Sequence, residues 1–90
     1  MTDTAGLPTA REWVAGFAPR LPGGADSVPT AEEQRLILEL SRIAAHASER
    51  IAAPIVSYMV GVAVAPLDPP ARVAEIARLL AEMEALGAKD

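Results

Sequence analysis

Apolar residues return every three or four positions along most of the chain, which predicts helices rather than strands. The first predicted helix starts at Thr9. Thr9-Ala10-Arg11-Glu12 is a capping box, in which the threonine hydroxyl accepts a free backbone N–H and the glutamate reaches back. Trp13, Val14, Phe17 and Leu21 then follow at helical spacing, and Pro19 with Pro22-Gly23-Gly24 ends the run. Residues 22–29 read as a loop. Thr30-Ala31-Glu32-Glu33 repeats the capping box and opens a second helix, with Leu36, Leu40, Ile43, Ala47 and Ile51 in one stripe flanked by Ile37 and Ala44. Pro54 stops or kinks this helix near Ala52 or Ala53.

From Ile51 to Pro66 the chain carries no charge. The segment is shorter than the ~20 apolar residues of a membrane span. Pro54 suits the first turn of a third helix running to about Ala65. A strand is the rival, since Val60, Val62 and Val64 are β-branched, but it would have no strand to pair with. An uncharged helix is expected to be buried on most sides, at the centre of the fold. Asp68 caps a fourth helix with Pro69 first. Val73, Ile76, Ala77, Leu80 and Met83 face its core, Arg78 and Glu82 form a surface pair, and Gly87 is the C-cap. The expectation is an all-α bundle of about four helices. It forms one domain over residues 1–90, with frayed ends at 1–6 and 88–90 and a central apolar helix starting at Pro54.

Composition narrows the function classes. A net charge of −4, with acids and bases interspersed, argues against a nucleic-acid binder, which needs a basic patch to displace counterions. Without cysteine there are no disulfides and no thiolate metal sites. One histidine with no cluster of carboxylates around it offers no metal site, and no cofactor motif is present. Met1-Thr2-Asp3-Thr4 lacks the basic start and apolar run of a signal peptide, so a cytoplasmic protein is expected.

One polar stripe carries candidate chemistry. On a continuous helix Arg35, Glu39, Arg42, His46 and Arg50 lie in a row beside the apolar face. His46 and Arg50 would be neighbours one turn apart, so Arg42, His46 and Arg50 form a candidate anion pocket, with His46 a base near neutral pH. The structural reading is simpler and preferred. Arg35, Glu39 and Arg42 pair along the helix, and His46 donates to a backbone carbonyl freed near Pro54. Ser57, Gly61 and Ala65 form a small-residue row suited to close helix packing, with self-association as the alternative.

Trp13, Leu38-Glu39-Leu40-Ser41-Arg42, Ala45-His46, Arg50, Ala52-Ala53-Pro54 and Val60-Gly61-Val62-Ala63 resemble a family of short helical proteins from GC-rich bacteria, a domain of unknown function. The likeness covers roughly residues 10–65. The chain departs from the pattern at Val64-Ala65-Pro66, where a second glycine is expected. That family occurs alone and also appended to proteins resembling molybdenum-cofactor guanylyltransferases. The resemblance therefore implies an accessory role around molybdopterin handling, and it supplies no catalytic residues.

Together these features favour a non-catalytic accessory or protein-binding module whose partner is another protein. One alternative is a small anion-binding protein or enzyme using the Arg42, His46 and Arg50 pocket. A second is a structural homodimer without ligand.

Overall fold

The computed structural model describes residues 6–87, which hold four α-helices, two short 3-10 turns and no strand. The fraying expected at 1–6 and 88–90 falls almost wholly outside these residues. Helix α1 is Ala10–Phe17, α2 is Ala31–Ala47, α3 is Ala52–Val64 and α4 is Pro69–Gly87. The all-α expectation holds, and Val60, Val62 and Val64 are helical.

Each start is set by local chemistry. Both capping boxes form: the N–H groups of Glu12 and Glu33 donate to Thr9 and Thr30 Oγ1 at 3.1 and 3.2 Å, and each glutamate accepts from the threonine N–H in return. Asp68 caps α4 by accepting the Ala71 N–H at 3.1 Å. Between α1 and α2 the chain turns through Ala18–Arg20 and Gly24–Ser27. Gly24, at φ 55°, takes a left-handed conformation that costs a residue with a Cβ about 1–2 kcal/mol.

The core lies where α2 crosses α3 and α4. Leu36 and Leu40 of α2, Val60 and Val64 of α3 and Ile76 of α4 are buried against one another. Half-buried Ile37, Val56, Leu67, Val73, Leu80 and Met83 close around them. Ala77 is exposed, and Leu79 takes the core side in its place. Helix α1 buries none of its own residues and packs chiefly on the turn that follows it.

Two expectations about the middle of the chain need correction. Helix α2 ends at Ala47, well before Pro54, because Ser48 leaves the helical region at φ −136°, ψ −103°. Ile51, beyond the break, therefore falls off the buried stripe, and Ala47, the last residue of α2, is exposed as well. Helix α3 starts at Ala52 rather than Pro54, which becomes its third residue. There its missing N–H is one that the first turn leaves free in any case. The central helix is α2, which packs along both α3 and α4, whereas α3 and α4 touch each other less. Helix α3 is buried on one side only. Val56, Val60 and Val64, four residues apart, face the core. Ile55, Tyr58, Met59 and Val62 on the opposite side stand in solvent.

Candidate functional site

The break at Ser48 decides the fate of the candidate anion pocket. Arg42 lies on α2, His46 in its last turn and Arg50 in the turn beyond it, so the one-turn register of His46 and Arg50 is lost. Arg42 is engaged with Glu39, Nη2 to Oε2 at 2.5 Å and Nε to Oε1 at 3.2 Å, and this pairing holds the Glu39 carboxyl below its ordinary range. Arg35 pairs with Glu32 rather than Glu39. His46 and Arg50 are exposed, and the side chain of neither has a hydrogen-bond or ion-pair partner among the described residues. The bond expected from His46 to a freed carbonyl is not formed. The carbonyls of Glu49 and Arg50 instead accept the N–H groups of Ala52 and Ala53, at 2.9 and 3.2 Å. Arg50 borders a shallow open depression with Glu49, Ile51 and Pro54, and His46 takes no part in it.

The small-residue row divides as well. The Ser57 hydroxyl is 2.6 Å from that of Ser41, a half-buried hydrogen bond that ties α3 to α2. Gly61 and Ala65 are exposed, and a Cβ built at Gly61 meets nothing within 4 Å. Close packing inside the chain is therefore not what Gly61 provides.

A polar cluster that sequence reasoning missed joins α2 to α4. Glu33 is only 2 % exposed. Its carboxylate accepts from Arg72 Nε, from Arg72 Nη2 at 3.3 Å and from the Thr30 N–H at 2.7 Å. Arg72 also donates from Nη1 to the Leu67 carbonyl at 3.0 Å. Hydrogen bonding from Arg72 holds the Glu33 carboxyl below its ordinary range despite burial. A signal was present: Arg72 sits in the first turn of α4, at the positive end of the helix dipole, where a cation is disfavoured unless an acid meets it. The cluster floors a cleft of about 280 Å³ walled by Val28, Pro29, Gly61, Val64 and Ala65. Its charged groups are already paired, and no buried side-chain polar atom among the described residues lacks a partner. Asp26 also borders the cleft, and the Glu33–Arg72 pair is spent on joining α2 to α4.

What the fold leaves unsatisfied is apolar. Trp13 and Phe17 stack with ring centroids 5.4 Å apart yet remain largely exposed on α1. The outer face of α3 is the larger feature: Ile51, Ile55, Tyr58, Met59 and Val62 fall within one side of the helix and are all exposed. Met59 continues into a groove of about 350 Å³ between α3 and α4, lined by Val56, Val60, Leu79, Met83 and Leu86, with Glu82, paired to Arg78, at its border. Among the described residues no group of histidines and carboxylates could hold a metal, and no helix is long and apolar enough to cross a membrane.

Fold and surface thus define a small all-α domain with a paired polar cluster inside and an unpartnered apolar face outside. The chain belongs to the family described as Domain of unknown function (DUF6457), whose model matches residues 6–89. No curated protein and no solved structure matches it.

Proposed function

We propose that this chain is a cytoplasmic, non-catalytic protein-binding module whose contact surface is the outer face of α3. The observation that carries this reading is the row Ile55, Tyr58, Met59 and Val62, exposed on a helix that has no charge along its length. A helix apolar on both sides is stable when both sides are covered. In this chain one side is open, and a contiguous exposed apolar face marks an interaction surface. The candidate anion pocket offers less, because Arg42 is paired with Glu39 and the depression at Arg50 includes neither Arg42 nor His46.

The resemblance to domains appended to molybdenum-cofactor guanylyltransferase-like proteins suggests the setting: an accessory role in molybdopterin handling. Affinity capture of the tagged chain from its native cells tests both parts. The reading expects a retained protein that is lost with Tyr58→Glu and kept with a His46→Ala/Arg50→Ala double variant. Loss with the double variant and retention with Tyr58→Glu would move the function to the basic residues. Recovery of a guanylyltransferase-like protein bears on the setting alone.

A further inference from the structure

We infer that the protein covering the outer face of α3 is a second copy of this chain, docked by a two-fold axis that sets the two α3 helices antiparallel. This rests on the reading of that face as a protein-binding surface and names its occupant.

The first argument is charge. The chain carries −4 overall, and two copies repel wherever their acidic surfaces meet. Helix α3 has no acidic or basic side chain from Ala52 to Val64, so its outer face is one place where a copy meets itself without opposing like charges. Partners of different sequence are commonly oriented and selected by complementary charges, which this helix does not provide. Homodimer interfaces are the more apolar class.

The second argument is spacing. A two-fold contact requires a patch that complements itself. Ile55, Tyr58, Met59 and Val62 stand at i, i+3, i+4 and i+7, a set that reads the same from either end. An antiparallel mate centred between Tyr58 and Met59 puts Ile55 against Val62 of the second copy, and Tyr58 against Met59. Tyr58 of the second copy then lies at the lip of the groove between α3 and α4, with its aromatic body on apolar side chains and its hydroxyl at the edge.

The third argument is area. Ile51, Ile55, Tyr58, Met59, Val62 and Leu86 are 56–74 % exposed. Large side chains of this kind offer together roughly 700 Å², close to the ~800 Å² that each partner contributes to a standard interface.

Sedimentation equilibrium of the full chain, from about 1 to about 200 µM, tests the inference. The expected result is the mass of two chains for the wild type. Tyr58→Glu should weaken association by roughly a hundredfold or more, with helical circular dichroism retained. Met59→Lys, a good helix former, gives the same readout should Tyr58→Glu lose helix content. Leu38→Glu adds the same charge on the exposed side of α2 and should leave the dimer intact. A wild-type chain that stays monomeric throughout, or a dimer that survives both α3 variants, would overturn the inference. Monomeric protein whose capture of another protein still depends on Tyr58 would overturn the second copy and leave the binding face standing. Monomeric protein whose captures ignore Tyr58 would overturn both.

Discussion

Arg72 shows how much one residue can decide here. Its guanidinium compensates the buried Glu33 carboxylate and holds the Leu67 carbonyl that leads into α4. Arg72→Ala leaves that carboxylate with only its Thr30 hydrogen bonding, and we expect a loss of about 3 kcal/mol in chemical unfolding, the low end for a broken buried pair because Arg72 is partly exposed. The pair also fixes a pH dependence. The folded Glu33 carboxyl titrates below its ordinary value near 4.5, chiefly through hydrogen bonding from Arg72. Its contribution is therefore complete above that value and is lost as pH falls below it, toward the folded pKa. Urea midpoints measured downward from neutral pH should fall across this acid range for the wild type and less steeply for Glu33→Gln. Equal slopes would mean that the pair does not set the acid limit. His46 is the opposite case. Being exposed and without a partner among the described residues, it should change stability by less than about 0.5 kcal/mol when replaced by alanine. A drop in melting temperature like that of Arg72→Ala would show a contact absent from this structure.

At the scale of elements, legibility followed locality. Both capping boxes and the Asp68-Pro69 start depend on residues three apart, and the sequence displayed them whole. The end of α2 was not legible. Ser48 has no strong breaking tendency, and the stripe from Leu36 to Ile51 continues straight across it, so periodicity alone carries the helix past its end at Ala47. The same continuous period sets His46 and Arg50 one turn apart, a spacing that the break at Ser48 removes. The Glu33–Arg72 pair spans 39 positions, so the place of Arg72 in the first turn of α4 calls for an acid without saying which one. Small residues at four-residue spacing, such as Ser57, Gly61 and Ala65, say that close approach is allowed, not that anything approaches. With open space beside it and an interior helical position, Gly61→Ala should raise stability by about 0.5–1 kcal/mol in thermal or urea unfolding, by reducing backbone freedom in the unfolded chain. A destabilised Gly61→Ala would place a neighbour against that side of α3.

For the molecule as a whole, the informative mismatch is α3. Its sequence predicts burial on most sides, and within one chain only the side bearing Val56, Val60 and Val64 is covered. The expectation of a central helix fails for the single chain and is restored in an assembly that seats protein on Ile55, Tyr58, Met59 and Val62. Helix α2, with capped ends, surface ion pairs and a buried stripe, is complete by itself, whereas α3 leaves one apolar side uncovered. The most direct test is an isotope-filtered nuclear Overhauser experiment on an equal mixture of carbon-13-labelled and unlabelled chains. The account predicts intermolecular contacts from the Ile55, Met59 and Val62 methyl groups to the Tyr58 ring. Intermolecular contacts confined to α1, or α3 methyl groups that see only their own chain and water, would contradict it.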